Sequence, residues 1–317
     1  MKHILSGLVI LTMLFGMNYA RGEASGAFTE QSTVGEVVNA PAFGHFGRLL
    51  FPVDRTVTED MTLREVSTSS VYVWYSYIDA SRTVSVVNEL RERSLAGEQI
   101  FYSIYTDAEI AADPSKADTG LFFFRGNPGE RYAIVNAGGG FVYVGAMHDS
   151  FPHALELSKM GYNAFALIYR PDYAYDDLAR AIDFIRSNAD TLGVDPDGYS
   201  LWGGSAGARM AAALGNKQVI ESYLGSGYPQ AAAVIMQYTG YTTTSRDDAP
   251  TYACVGTSDG IANWRTMQNR LNTLSSYGIP TEFHSYNGLS HGFGLGTGTV
   301  AEGWINDAVA FWEAQIK

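Results

Sequence analysis

The stretch that constrains the fold most is the run YSLWGGSAGARMAAA, residues 199–213. Its first four residues are typical of a buried strand, and its last eight are mostly small, helix-favouring residues. The glycines between the two halves predict a sharp turn, because a strand can run directly into a helix only where side chains leave the backbone unobstructed. A chain with this strand–turn–helix unit is expected to build a sheet with helices packed against it.

The rest of the chain from residue 98 onward repeats the alternation of strand and helix patterns. Strands are predicted at 98–106, 119–126, 131–140, 162–170, 199–204, 231–240, 251–259 and 281–288. Helices are predicted at 149–161, 175–192, 206–215, 261–278 and 299–315. This alternation predicts an α/β fold with a mostly parallel sheet covered by helices on both faces. The first three strands have no helix between them, so we expect antiparallel pairing at one edge.

The N-terminus resembles a secretory signal peptide. Lys2 and His3 precede an apolar run, residues 4–17, that is short for a membrane span, and small residues follow it. We expect cleavage after Ala20 or Ala24, with an uncleaved anchor as the alternative. The prediction is a secreted or periplasmic protein with no stable membrane insertion after cleavage.

Three segments follow from these patterns: a signal peptide at 1–24, an N-terminal extension at 25–97 and a catalytic domain at 98–317. The extension does not share the strand–helix alternation, although residues 82–98 look helical. We expect it to pack on the catalytic domain, either roofing the active site or serving as a structural arm without contact to substrate.

Composition excludes several classes of function. A net charge of −12 argues against nucleic acid or an anionic membrane as the main partner. The single cysteine, Cys254, cannot form an intrachain disulfide and is expected to be a small core residue. The six histidines do not cluster as metal ligands, and the AGGGF run lacks the spacing of a dinucleotide fingerprint. We therefore expect neither a metal nor another cofactor.

The pattern Gly-x-Ser-x-Gly occurs three times, at 203–207, 256–260 and 288–292. Only the first lies between a predicted strand and helix, as a nucleophilic serine requires, and it identifies Ser205. The other two place Asp259 and His291 just after strands, where catalytic groups of open α/β sheets gather. His284 is the rival histidine, but it lies within a predicted strand.

These three residues have the types that nucleophilic catalysis needs. A serine hydroxyl is a weak nucleophile and needs a base, which His291 would supply. Asp259 would hold the imidazole in one tautomer and stabilise its charged form. For the oxyanion hole we expect the amide of Ala206 and amides from the glycine triplet at 138–140, which follows the third strand.

The pieces AGGGF, YNAFALIYR, GGSAGARMAA, VGTSDGI and SHGFG together resemble those of α/β-hydrolase esterases. The chain is similar to the acetyl xylan/feruloyl esterase-type and hormone-sensitive-lipase-like families over residues 98–317. The resemblance implies the α/β-hydrolase fold, a triad of Ser205, Asp259 and His291, and oxyanion-hole glycines at Gly139 and Gly140. In one departure, Ala137 stands where these families often have histidine.

The function we expect is that of a secreted serine carboxylesterase acting on a small-molecule or carbohydrate ester. A short acyl group such as acetyl follows from the resemblance alone. A set of aromatic residues suits a sugar chain, although most of them taken singly are more typical of a core: Phe141, Tyr143, Trp202, Tyr238 and Trp264. Two alternatives stay open, a serine peptidase and a non-catalytic binding protein of the same fold. The oligomeric state is not predicted.

Overall fold

The computed structural model describes residues 26–52, 57–68, 72 and 74–316. The predicted signal peptide, residues 1–24, lies outside these ranges, so its cleavage near Ala20 or Ala24 stays a prediction. Among the described residues, no helix combines the length and apolar character needed to cross a membrane.

The described part of the chain forms one eight-stranded sheet. Its strands are β1 Phe101–Tyr102, β2 Gly120–Phe124, β3 Arg131–Asn136, β4 Asn163–Ile168, β5 Asp195–Gly204, β6 Ala233–Gln237, β7 Thr251–Gly256 and β8 Thr281–Tyr286. Their order is β1-β2-β4-β3-β5-β6-β7-β8. Neighbouring strands in the run β4-β3-β5-β6-β7-β8 are parallel. The pairs β1–β2 and β2–β4 are antiparallel. The predicted parallel sheet with an antiparallel edge is confirmed.

Helices precede β1, follow β8 and occupy most of the intervals between the strands. Those of the described residues are α1 Val34–Val38, α2 Leu63–Thr68, α3 Ala80–Leu95, α4 Asp107–Ala112, α5 Ala146–Asp149, α6 Phe151–Lys159, α7 Ala174–Ser187, α8 Ala189–Leu192, α9 Ala206–Leu214, α10 Lys217–Leu224, α11 Trp264–Ser276 and α12 Trp304–Ala314. Helix α6 packs on β2, β3 and β4, α9 on β3, β5 and β6, and α11 on β7 and β8. The predicted fold class, a mostly parallel sheet covered by helices, is confirmed.

Several predicted elements have other bounds in the structure; the helix expected at 175–192, for example, is divided into α7 and α8, and the strand expected at 131–140 ends at Asn136. The strand expected at 98–106 is reduced to β1, because Thr106 and Glu109 form a capping box that starts α4. The helix expected at 149–161 corresponds to α6, the longer of two consecutive helices. The backbone at Ser150 is not helical, and it separates α6 from the short helix α5. The closing helix begins only after Gly303, which has a φ of 87°.

The core is apolar and rich in large side chains. Trp202 of β5 lies against Trp304 and Trp312, with ring centroids 6.2 and 6.4 Å away. Cys254 is fully buried in β7, as expected of a core residue. Trp202 is 1% exposed, so of its two expected roles it has the core role and not the sugar-binding one.

Residues 26–97 contact the sheet region at several points. Helix α3 packs against α6 and against a 3-10 segment at Pro41–Leu49. Arg93 of α3 donates to the carbonyl of Arg125, at 3.1 Å, just after β2. The same helix presents Arg82, which forms an ion pair with Glu156 of α6 at 3.2 Å. The boundary at residue 97 stays a prediction, but these contacts tie the segment to the helices that cover the sheet.

Candidate active site

Ser205 lies in the turn between β5 and α9. Its φ of 50° and ψ of −113° place it in a region that residues with a side chain rarely adopt. The turn is held from below by the Ser205 amide, which donates to the carbonyl of Gln237 at 3.0 Å. The strand, the turn and the helix of small residues therefore form the unit that the sequence predicts.

Glycines around Ser205 are required by close approach. A Cβ at Gly203 would lie 2.5 Å from the amide nitrogen of Ala208, and one at Gly207 would overlap the carbonyl of Asn136. Both clashes involve backbone, which cannot give way cheaply. The sequence predicted these two requirements. At Gly204 the cause is different, because a Cβ there would lie 2.7 Å from the Cγ atom of Asp149.

The structure brings Ser205, Asp259 and His291 together. The Ser205 hydroxyl lies 3.1 Å from His291 Nε2, and His291 Nδ1 lies 2.8 Å from Asp259 Oδ2. Asp259 Oδ1 accepts the amides of Ile261 and Ala262, at 2.8 and 2.7 Å. The carboxylate is thus fixed by backbone on one side and faces the imidazole on the other, which is the arrangement of a serine–histidine–acid relay.

His284 is not part of this cluster. It lies in β8, where its Nε2 is 2.6 Å from Glu282 Oε1 and its ring stacks on Tyr252 with centroids 5.2 Å apart. Position on a strand rather than on the following loop therefore separates the two histidines, as the sequence argument expected.

The glycine triplet passes directly beside the serine. A Cβ at Gly138 would lie 2.8 Å from the Cβ of Ser205. Gly139 and Gly140 follow with φ values of 132° and 64°. Within the described residues, the amides of Gly139, Gly140 and Ala206 have no hydrogen-bond acceptor. Amides without acceptors beside a nucleophile are what an oxyanion hole needs.

Asp149 is a site residue that the sequence reasoning missed. It is 1% exposed, and its carboxyl accepts the amide of Gly138 at 2.7 Å and the hydroxyl of Tyr75 at 3.2 Å. The Tyr238 hydroxyl donates to its other oxygen. Burial raises the pKa of Asp149 to about 6, against the lowering effect of the Tyr238 and Gly138 hydrogen bonds. Asp149 stands at the start of the helix predicted at 149–161, where an aspartate is ordinarily a capping residue, so the sequence carried no signal that set it apart.

Residues 74–76 of the N-terminal segment lie against the loops of the site. The Trp74 ring stacks on Tyr143, with centroids 5.7 Å apart. Ser76 donates its amide to the carbonyl of Gly292 and its hydroxyl to the carbonyl of His291, at 3.1 and 2.7 Å. Part of the predicted extension therefore contacts the histidine loop, which the sequence left open.

A buried histidine supports the same loop. His148 Nε2 donates to the carbonyl of Gly292 at 2.8 Å. Burial lowers the pKa of His148 to about 4, so its ring is neutral at pH 7. A neutral imidazole can donate this hydrogen bond, so His148 holds the loop at Gly292 without placing a positive charge beside the site.

Of the five aromatic side chains considered for sugar binding, two keep appreciable exposure. Tyr238 is fully buried and Tyr143 is 6% exposed, whereas Phe141 and Trp264 are half-buried. The described residues contain no group of three or more His, Cys, Asp or Glu side chains arranged to hold a metal ion.

The sequence and the fold were compared with those of known proteins. The model of the BD-FAE family matches residues 130–270, a range that includes Gly139, Ser205 and Asp259 but ends before His291. A search of curated proteins with this sequence found no match.

Solved structures share the architecture at low sequence identity. An acetyl ester-xyloside bifunctional hydrolase from Caldicellulosiruptor lactoaceticus is 19% identical, with a TM-score of 0.58 over 68% of this chain and 97% of that one. An esterase from Thermogutta terrifontis is 19% identical, with a TM-score of 0.54 over 66% and 89%. A sugar hydrolase from Lactococcus lactis is 18% identical, with a TM-score of 0.54 over 62% and 94%. The chain has the α/β-hydrolase fold, and its predicted resemblance to esterases of that fold is confirmed.

Proposed function

We propose that this protein is a serine carboxylesterase that hydrolyses short-chain acyl esters through an acyl-enzyme on Ser205. The observation that carries the proposal is the continuous chain of hydrogen bonds from Ser205 through His291 to Asp259. A fold of this class hosts many activities, so the argument rests on these side chains rather than on the fold.

In the first half of the reaction, His291 Nε2 takes the proton of Ser205 as the Ser205 oxygen attacks the ester carbonyl. The distance of 3.1 Å between the two atoms suits this transfer. Asp259 accepts a hydrogen bond from the Nδ1–H group of His291, which keeps the lone pair of the other nitrogen directed at the serine. As the imidazole becomes charged, the buried carboxylate stabilises it.

The tetrahedral intermediate carries a negative charge on the former carbonyl oxygen. We assign the amides of Gly139, Gly140 and Ala206 to this charge, because they have no acceptor among the described residues. Ala206 follows Ser205 directly, and Gly138, which precedes the other two, comes so close that a Cβ there would lie 2.8 Å from the Cβ of Ser205. Each such donor lowers the barrier by about 3 to 4 kcal/mol in enzymes of this type.

Collapse of the intermediate expels the alcohol, which takes its proton from His291 and leaves an acyl group on Ser205. Water then attacks the acyl-enzyme with His291 again acting as base, and the acid leaves. Every step uses groups of this chain and of water, so the proposed mechanism needs no cofactor.

For the substrate we propose a small acyl group, acetyl first, carried by a small alcohol or a carbohydrate. The names of the structural neighbours, an acetyl ester-xyloside hydrolase and a sugar hydrolase, support this choice. The half-buried rings of Phe141 and Trp264 are available to a sugar.

From residues 1–24 we also propose export, which would bring the protein to polymeric substrates. The test is the mass of the exported protein. A mass that corresponds to a chain beginning after Ala20 or Ala24 would support cleavage, and the mass of the uncleaved chain would refute it.

The test of the activity compares the protein without residues 1–24 and its Ser205→Ala variant on p-nitrophenyl acetate, butyrate and octanoate. We expect rapid cleavage of acetate that declines with chain length and disappears in the variant, because the variant lacks only the nucleophilic oxygen. Acetylated xylan and deacetylated xylan then form the matched pair for a carbohydrate substrate.

Other outcomes lead to the alternatives. Hydrolysis that persists in Ser205→Ala would show that another group is the nucleophile. No ester hydrolysis in either protein, together with cleavage of peptide p-nitroanilides, would favour a peptidase. Binding of an ester without turnover would favour a non-catalytic protein.

A further inference from the structure

Asp149 is a buried acidic residue to which the proposed mechanism gives no role. It ends α5 and lies between the glycine triplet and the turn that carries Ser205. Both motifs make room for it. A Cβ at Gly204 would lie 2.7 Å from its Cγ atom, and a Cβ at Gly138 would lie 3.0 Å from its Oδ2 atom. Two glycines are therefore required for this carboxyl to fit, and its hydrogen-bond partners show what it holds in place.

Three separate parts of the chain donate hydrogen bonds to this carboxyl. The Gly138 amide and the Tyr75 hydroxyl reach Oδ2, at 2.7 and 3.2 Å. The Tyr238 hydroxyl reaches Oδ1, and the Tyr238 ring lies edge-on to His291 with centroids 5.0 Å apart. One side chain therefore joins the glycine triplet, the N-terminal segment and the surroundings of the catalytic histidine.

The hydrogen bond from the Gly138 amide to Asp149 bears on the oxyanion hole. Gly139 and Gly140 come next, and their positive φ angles of 132° and 64° lie where glycine has wide freedom. The carbonyls of Gly138 and Gly139 belong to the same peptide units as these two amides, and they accept the amides of Gly145 and Val142 at 3.0 and 2.9 Å. These bonds set the tilt of the two units, and the bond from Gly138 to Asp149 fixes the point from which the loop starts. Just before the triplet, the backbone carbonyl of Ala137 accepts the Tyr169 hydroxyl at 2.8 Å.

We propose that Asp149 is the positioning residue of the oxyanion loop. By accepting the Gly138 amide while being held itself by Tyr75 and Tyr238, it orients the two amides that follow toward the oxyanion. The inference rests on the proposed function, because an oxyanion forms only if Ser205 attacks an acyl group. It adds a residue from outside the predicted triad and loop, and it gives Tyr75 of the N-terminal segment a part in catalysis.

The test uses the protein without residues 1–24 and three variants. Asp149→Asn keeps the volume but replaces one acceptor oxygen by a donor, Tyr75→Phe removes a single supporting hydroxyl, and Tyr77→Phe is the matched control. Tyr77 is 52% exposed and lies two residues from Tyr75. The measurements are kcat and KM on p-nitrophenyl acetate, corrected for the fraction of reactive serine, and the inhibition constant of a methyl trifluoromethyl ketone.

For Asp149→Asn we expect kcat to fall about 10²-fold, as when an oxyanion donor is lost, and KM to change by less than about twofold. The ketone forms an oxyanion on Ser205, so its affinity should fall by a similar factor. Tyr75→Phe should lower kcat by about tenfold, the effect of one hydrogen bond to a carboxylate. Tyr77→Phe should leave all three quantities unchanged.

An unchanged kcat in Asp149→Asn, or a rise in KM alone, would overturn the inference. If that variant does not fold, Tyr75→Phe decides, and an unchanged kcat there would overturn it as well. Failure of the proposed function would look different, because the unaltered protein would then show no hydrolysis that depends on Ser205.

Discussion

The strained backbone of Ser205 predicts that replacing it by glycine stabilises the fold while abolishing turnover. Its φ of 50° and ψ of −113° lie outside the regions that residues with a Cβ prefer. Ser205→Ala and Ser205→Gly both lack the hydroxyl oxygen, but only the glycine variant also lacks the Cβ. Their difference in stability therefore measures the backbone strain without contribution from the hydroxyl.

The expected size follows from two opposing terms. Relief of an unfavourable backbone conformation contributes about 1 to 3 kcal/mol. The greater freedom of glycine in the unfolded chain costs about 0.4 to 1 kcal/mol. The net gain of Ser205→Gly over Ser205→Ala is thus about 1 kcal/mol, or roughly 2 °C in melting temperature for a protein of this size.

The assay is urea unfolding followed by tryptophan fluorescence, with thermal melting as a second measure. A matched control is Ala213→Gly in α9, where the backbone is helical and glycine should lower the free energy of unfolding by about 1 kcal/mol. The sign should therefore reverse between the two positions. A Ser205→Gly variant less stable than Ser205→Ala would refute the reasoning, because strain would then contribute nothing at the turn.

Three further predictions concern the acid, the turn and pH. Asp259→Asn should lower kcat by a factor on the order of 10⁴ on p-nitrophenyl acetate through the wrong histidine tautomer, and a near-normal rate would move the acid role to another carboxylate. Gly207→Ala would place a Cβ 2.7 Å from the carbonyl of Ala137, so we expect a loss of about 1 to 3 kcal/mol in urea unfolding and about 10² in kcat. Gly240→Ala, with nothing within 4 Å, should change neither, and equal effects at both positions would contradict the argument. Burial lowers the pKa of His153 to about 3 from 6.5, so the unfolded chain binds the extra proton and stability falls as pH drops below about 6.5. The loss from this group is about 2 kcal/mol between pH 7 and pH 5, and His153→Leu should remove it from the pH dependence of unfolding.

The sequence predicted those features whose causes are local. The turn at Ser205 is encoded by neighbouring glycines, and the positions of Asp259 and His291 follow from the rule that parallel strands end at one edge. The strand at 98–106 was overestimated because the capping residues of α4 prevailed over β propensity. The structure brings the three side chains together, and their roles in catalysis stay proposals.

Asp149 could not be predicted because its partners are distant in sequence. Tyr75 is 74 residues before it and Tyr238 is 89 residues after it. Periodicity and motif spacing do not report pairs of this kind, so the residue was counted only as part of a covering helix. The role of residues 74–76 was open for the same reason.

The contact between Ser76 and His291 has a consequence for the order of folding. These residues are 215 positions apart, so their hydrogen bond closes most of the chain into one loop. Contacts of such separation are entropically costly and form late. During synthesis the segment around Ser76 is made long before His291. Its hydrogen bond to His291 can form only once the loop that carries His291 has been made. A chain that stops short of residue 291 would leave this segment without its hydrogen-bond acceptors, so the site can be completed only after synthesis has passed residues 291 and 292.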